Sequence, residues 1–392
     1  MEYPIVCGKK SLCVLMSIAM LLCYYEYTRI DIKNEEKSLK QLQRGKTNKH
    51  SGENQTVVDF GVPIDDAEKR QDVPNVLLIT YLRSGSSLIG DIVQQVPHAL
   101  YSFEPAKQCM ERGYYLSRDR GMCYLTNDVC KNTPKNDYGF IMEHFKNFYK
   151  CNLKTLNLYF LSRSRQFHKL AYQCKREANQ KKCISKLIPV CEKAVRIIKT
   201  IRLSMDMVQE LMENIPNLKV IHLLRDPRGM IVSRIKAIRH LQYKMGNMSS
   251  IARAVCDRYN RDISIGQSLK VKYPNRIKTL LYEQIAQRPL ETSIRIFKFL
   301  GLQPKSNFKS WLMEHIAGDP KMSPGHPAFS TVRANSTATA NSWRLKLSLD
   351  NVMDIDRECS KVYAYTGYLA VKNSAHLKNL NISVRKENSD FP

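Results

Sequence analysis

The stretch Thr80-Tyr-Leu-Arg-Ser-Gly-Ser-Ser87 closes an apolar run, Val76-Leu-Leu-Ile-Thr-Tyr81, and opens a segment of helical periodicity from Ser86 to Gln95. A buried strand that turns through Gly and Ser into a helix can hold a phosphate or a sulfate. The helix N-terminus offers N–H donors, Gly85 allows close backbone approach, and Arg83 supplies positive charge. The hydroxyls of Ser84, Ser86 and Ser87 add further donors. An ordinary β–α turn with Ser as helix N-cap has the same composition, so this segment alone leaves both readings open. The lysine of a G-x-x-x-x-G-K-[S/T] loop is missing, which argues against a nucleoside triphosphatase.

The same grammar recurs downstream. Leu218-Lys-Val-Ile-His-Leu-Leu224 reads as a second buried strand, and a helix is expected from Pro227 to about Leu241. Between them lies Arg225-Asp-Pro-Arg-Gly-Met-Ile-Val-Ser233, with Arg225 at the strand end and Ser233 two turns into the helix. A guanidinium suits bidentate phosphate binding, and a helical serine adds one donor. A local Arg225–Asp226 salt bridge with Pro227 at the first helical position is the alternative. A third strand is expected over Ile277 to Tyr282, then a helix from Arg288 to Leu300 closed by Gly301. Strands alternating with helices indicate an α/β domain with a largely parallel sheet.

Charge and the N-terminus bound the partners. The chain has 392 residues, with 62 Lys and Arg against 36 Asp and Glu, a formal net charge of +26. That surplus favours polyanions: nucleic acid, anionic membrane or acidic polysaccharide. Ser11 to Tyr25 is uncharged, lies behind Lys9 and Lys10, and lacks a small-x-small cleavage site. It reads as an uncleaved signal-anchor helix over 11–25, with a cytoplasmic tail 1–10 and a polar stem 26–73. The flanking charges do not settle orientation, since Arg29, Lys33, Lys37 and Lys40 follow closely. Twelve cysteines, nine of them beyond the anchor, lack paired C-x-x-C spacing and suit disulfides in an oxidising lumen. Sequons stand at Asn54, Asn247, Asn335 and Asn381. Anchor, cysteines and sequons together place the domain, 74–370, in a lumen. That demotes nucleic acid as the polyanion and leaves 371–392 as a C-terminal tail.

The two phosphate-type motifs, in this order and separation, resemble the PAPS-dependent sulfotransferases (PAPS being 3′-phosphoadenosine 5′-phosphosulfate). The similarity is greatest to the Golgi carbohydrate 6-O-sulfotransferases acting on galactose, N-acetylglucosamine or N-acetylgalactosamine. Tyr101-Ser-Phe-Glu-Pro105, Leu281-Tyr-Glu-Gln-Ile-Ala286, Thr331-Val-Arg-Ala-Asn-Ser336 and Asn341-Ser-Trp-Arg344 also match, as does Cys359 followed by Gly367-Tyr368. The resemblance implies a P-loop-like sulfotransferase fold behind a single transmembrane helix, in a type II Golgi membrane protein. It implies that Arg83, Ser84, Gly85, Ser86 and Ser87 grip the 5′-phosphosulfate, that Arg225 and Ser233 hold the 3′-phosphate, and that Arg333 contributes to cofactor binding. Ser336 and Arg344 are further candidates for the nucleotide or acceptor site. It also implies a disulfide between Cys256 and Cys359.

Sulfuryl transfer needs alignment and charge stabilisation, met here by Arg83 and backbone N–H groups, and no metal is expected. The acceptor hydroxyl needs a base. Glu104 is the candidate, with a pKa raised by partial burial, and His98 is the alternative. Trp343 reads as a core anchor in preference to a sugar platform. Residues 106–195 do not align and read as an insertion shaping the cleft for a glycan acceptor, acidic or neutral. Two rival readings stay open. One is a lumenal glycosyltransferase, for which Asp354-Ile-Asp356 would supply a D-x-D motif. The other is a non-catalytic glycosaminoglycan-binding membrane protein. Neither dimerisation nor the acceptor sugar is legible.

Overall fold

A computed structural model describes residues 73–386, except 109, 112, 134, 157, 163–167, 238–246 and 320–330. The expected anchor, stem and Asn54 sequon lie outside the described residues. Among those described, no helix is long and apolar enough to cross a membrane.

Five parallel strands form the central sheet: β1 (Asn75–Ile79), β2 (Ala99–Phe103), β6 (Val195–Thr200), β7 (Leu218–Leu224) and β8 (Ile277–Leu281). Their order is β2-β6-β1-β7-β8. All of β1 is buried, as a central parallel strand covered on both faces requires. On one face Leu77, Leu100, Ile198 and Val220 meet helices Lys135–Tyr149 and Met205–Asn214. On the other, Val76, Leu78, Ile197 and Leu223 meet helices Ser86–Val93 and Pro289–Leu300. The latter ends as expected at Gly301, whose φ of 71° is the left-handed C-cap conformation glycine favours.

The chain leaves β1 towards β2 on one side of the sheet, and leaves β7 towards β8 on the other. The C-terminal ends of β1 and β7 therefore flank a topological switch point, where ligands of open α/β sheets bind. Both motifs sit there.

Strands β2 and β6 escape a reading by periodicity. β6, Val-Arg-Ile-Ile-Lys-Thr, carries two cations that the fold satisfies locally. Arg196 Nε donates to Asn75 Oδ1 at 2.7 Å, and Lys199 pairs with Glu104. The expected insertion divides in two. Strands β3 (Tyr114–Ser117), β4 (Gly121–Tyr124) and β5 (Cys130–Lys131) form a separate antiparallel sheet near the switch point, where Arg202 Nη1 donates to Tyr114 O at 2.8 Å. The remainder, through helix Ile188–Glu192, covers the β1/β6 face.

The expected tail 371–392 is corrected as far as residue 386. Val371, Leu377 and Val384 join the core, and Tyr368 forms a bridge with Arg385. Arg344 explains the fold-back. Only 1 % exposed, it donates to the carbonyls of His376, Leu377, Asn379 and Ile382.

Eight cysteines form disulfides 123–130, 151–191, 174–183 and 256–359; Cys109 lies outside the described residues. The Cys256–Cys359 bridge ties helix Met248–Lys272 to the end of helix Leu349–Glu358 across 103 positions. Closing so long a loop restricts the unfolded chain, so replacing both cysteines by Ser is expected to cost ~2–5 kcal/mol. Urea denaturation measures it, and an unchanged midpoint would show that the bridge contributes nothing.

Candidate active site

The β1 turn is built around Gly85, which is left-handed at φ 87°. A Cβ there would stand 2.3 Å from Cδ2 of Tyr282, the first residue after β8. Conformation and space both demand glycine. Gly85 also occupies the helix N-cap with no side-chain cap bond, so the serine-cap reading does not hold. Ser84 departs from its expected role. Its hydroxyl is buried, donates to Tyr81 O at 2.8 Å and bonds the Thr80 hydroxyl, so it shapes the turn from inside. Ser86 is buried at the first helical position and Ser87 is half-buried.

The β7 motif meets this turn directly. Arg225 Nη1 donates to Arg83 O at 2.9 Å, and Arg83 Nε donates to Ser233 Oγ at 3.1 Å. The Arg225 guanidinium lies 4.6 Å from the centre of the Tyr282 ring. Its Nε is buried and has no hydrogen-bond partner among the described residues. The local Arg225–Asp226 pair does not form: Asp226 is taken by Arg228 at 2.9 Å, and Arg228 also reaches Asp356 at 3.2 Å. One arginine of the motif is thus a core residue, stacked on Trp343 at 4.3 Å, and the other is released towards the switch point.

Arg333 completes a three-guanidinium cluster. Burial, then Arg225 and Arg333, lowers the Arg83 pKa to about 10. Burial and Arg225 likewise lower that of Arg333. Gathering three like charges is unfavourable unless an anion comes to neutralise them, and the orphaned Arg225 Nε is a donor for one. The residues fit a ligand with more than one phosphate or sulfate.

Glu104 stands at the C-terminal end of β2, on the same edge of the sheet. Its N–H donates to Lys199 O at 2.8 Å, while Thr80 N donates to Thr200 O at 3.1 Å, so one strand, β6, aligns the carboxylate with the β1 turn. The backbone is strained at φ 47°. Burial alone would push the carboxyl up, but Lys199, with Arg202 and Lys107, holds it below the usual carboxylate range. The expected raised pKa is therefore corrected. His98 is exposed at the opposite end of β2, six residues from Glu104 or about 20 Å of strand, and does not reach this edge.

Other candidates have structural roles. Ser336 Oγ donates to Ala286 O at 2.7 Å, and Trp343 is 1 % exposed in the core, as expected. Arg344 is neither solvated surface nor ligand-facing. Asp356 is bound to Arg228 while Asp354 pairs with Arg357 at 2.6 Å, so the D-x-D motif is helix packing. Cys123, Asp128 and Cys130 lie together, but the two sulfurs are bonded to each other. Asn247, Asn335 and Asn381 are exposed. The residues missed from sequence are Tyr282, quoted only within a matching stretch, and Lys199, in an unrecognised strand. Gly85→Ala is expected to fold with ~1–3 kcal/mol lost to backbone strain, and to lose binding of 3′-phosphoadenosine 5′-phosphate in equilibrium dialysis. Undiminished binding would remove the turn from the site.

The family model described as a sulfotransferase domain matches residues 73–367. Carbohydrate sulfotransferase 1 of Danio rerio is 27 % identical over 352 residues, covering 81 % of this chain and 83 % of that protein. The Homo sapiens protein of the same name is 27 % identical, covering 81 % of this chain and 85 % of its own. Retinol dehydratase, solved with retinol and PAP, superposes with a TM-score of 0.40 at 15 % identity, over 74 % of this chain and 82 % of that one. The family match, which begins two residues before β1, takes in the Gly85 turn and continues past Arg333, makes this chain a member of the sulfotransferase family.

Proposed function

We propose that the protein transfers the sulfuryl group of PAPS to a hydroxyl of a sugar in a glycan or glycosaminoglycan, the 6-hydroxyl of galactose, N-acetylglucosamine or N-acetylgalactosamine being the site implied by the resemblance. The observation that carries this reading is the cluster of Arg83, Arg225 and Arg333 at the switch point, with Glu104 on the same sheet edge. The sugar assignment is supported by the carbohydrate sulfotransferases among the relatives.

In this reading the turn N–H groups and Arg83 hold the 5′-phosphosulfate, and Arg225 with Ser233 holds the 3′-phosphate. The acceptor oxygen attacks sulfur, forming the new S–O bond. The bond from sulfur to the 5′-phosphate oxygen breaks, and 3′-phosphoadenosine 5′-phosphate leaves. Glu104 accepts the proton of the acceptor hydroxyl. Negative charge builds on the departing phosphate, where Arg83 and the helix N-terminus stabilise it. Nothing in this scheme calls for a metal.

The low pKa of Glu104 has a consequence for pH. A carboxylate held below its ordinary range stays ionised through neutrality, and protonates only on acidification beneath that range. Its ion pairs stabilise the fold above the unfolded pKa and are lost as pH falls through the folded one. The rate should therefore be flat around neutrality on its acid side.

The placement proposed for the domain is the Golgi lumen, with residues 11–25 as the anchor. Four disulfides among the described residues support an oxidising compartment. A glycosidase-induced mobility shift of the expressed protein tests this, and protease access from the cytoplasmic side would contradict it.

Transfer from labelled PAPS to a panel of sugars tests the reaction. Glu104→Gln is expected to lower kcat ~10²–10⁴-fold with the KM for PAPS little changed. Lys199→Met should move the acid limb of the rate profile to higher pH, because the cation that lowers the Glu104 pKa is gone. Full activity in Glu104→Gln, or an acid limb unmoved by Lys199→Met, would exclude Glu104 as the base.

A further inference from the structure

The charge of this chain is not spread evenly. Between residues 144 and 193 twelve Lys and Arg stand against two acids, Glu177 and Glu192. The described part of this stretch forms a run of short elements stapled by the 151–191 and 174–183 disulfides. Helix Leu158–Ser162 packs on the turn Pro105–Gln108, which directly follows Glu104. Helix Leu158–Ser162 packs in turn on His168–Cys174, which packs on Gln180–Ser185, which packs on Leu153–Thr155. The run ends beside Cys191, four residues before β6 begins. It therefore leads from the edge that carries Glu104 to the opposite end of the sheet, at least ~17 Å along the strands.

Its surface is cationic. Lys150, Lys154, Lys175, Arg176, Lys181, Lys182, Lys186 and Lys193 are exposed. Among the described residues no ion pair engages Arg176, Lys181, Lys182, Lys186 or Lys193. Three surface cations elsewhere are paired: Lys272 with Glu213 at 3.0 Å, Arg253 with Glu358 at 2.9 Å and Arg357 with Asp354 at 2.6 Å. Tyr172 adds an aromatic face, 47 % exposed, with the Arg176 guanidinium 5.0 Å from its ring centre. A solvated face needs neither the covalent stapling nor a six-fold excess of cations over acids.

We propose that this surface is a binding track for a polyanionic glycan, which it holds beyond the sugar that is sulfated. The proposal rests on the glycan-sulfating reading above and sharpens it: the acceptor is an extended, sulfated or carboxylated polymer, not a single terminal sugar on a neutral glycan. Exposed ammonium groups in series suit evenly spaced anions, and their attraction is screened by salt.

The test uses the full-length protein, Lys181→Glu/Lys182→Glu/Lys186→Glu, and a charge-matched control on another exposed region, Lys298→Glu/Lys305→Glu/Lys309→Glu. Two readouts separate this proposal from the catalytic reading. Retention on immobilised heparin or chondroitin sulfate requires no PAPS. The expected result is elution at lower salt for the 181/182/186 variant than for the control. In the transfer assay, the ratio of kcat/KM for a chondroitin polymer to that for a disaccharide should fall about ten-fold in that variant only. Equal elution of the two variants overturns the track, as does an unchanged ratio. Retention by phosphatidylserine vesicles but not by either glycan would reassign the surface to membranes and also overturn it. Absence of sulfate transfer to any acceptor, with the heparin difference intact, would sink the catalytic reading and leave the track standing.

Discussion

Everything at the switch point depends on one electrostatic constraint: three guanidinium groups, Arg83, Arg225 and Arg333, gathered at one place, where burial and the neighbouring cations lower the proton affinity of Arg83 and Arg333. Such a cluster persists only where the surrounding fold over-determines it. Tyr282 is the central device. Its ring lies under Arg225, excludes any side chain at position 85, and comes from the end of a different strand, β8. Glu283, next to it, accepts from Asp226 N at 3.2 Å and from Tyr368 OH, fastening the β7 loop to the C-terminal segment. The turns after β1, β7 and β8 are thereby fixed to one another before any ligand arrives, which is preorganisation of the kind anion binding rewards.

The supporting layer is itself charged. Arg228, fully buried between Asp226 and Asp356, spans the β7 loop and helix Leu349–Glu358. Removing one member of such a group strands the others, so the arrangement is intolerant of single changes although a buried pair adds little net stability. Two arginines three residues apart thus differ in kind. Arg228 has its counter-charges within the fold; Arg225 has a nitrogen without a hydrogen-bond partner among the described residues. That contrast, more than the presence of either residue, marks the ligand side.

The strand–turn–helix units around Ser84 and Arg225 were legible because continuous apolar runs and Gly/Pro punctuation state their structure locally. The helix closed by Gly301 was legible for the same reason. β6 was not, since Arg196 and Lys199 break its apolar run and are satisfied only by residues distant in sequence. The same gap hid the Lys199–Glu104 pair and so inverted the expected direction of the Glu104 pKa. Ser84 could not be told from Ser86 or Ser87, because which hydroxyl turns inward depends on the turn's geometry. The fold-back of 374–386 onto Arg344 was equally invisible, as a lone arginine beside Trp343 looks like any surface cation.

The most direct test of the account is a structure determined with 3′-phosphoadenosine 5′-phosphate bound. The account predicts the 5′-phosphate on the first-turn N–H groups after Gly85 and on Arg83, with the 3′-phosphate on Arg225 and Ser233. It also predicts Glu104 facing the space beyond the 5′-phosphate. A nucleotide bound away from the β1 and β7 turns, or no binding at millimolar concentration, would contradict it.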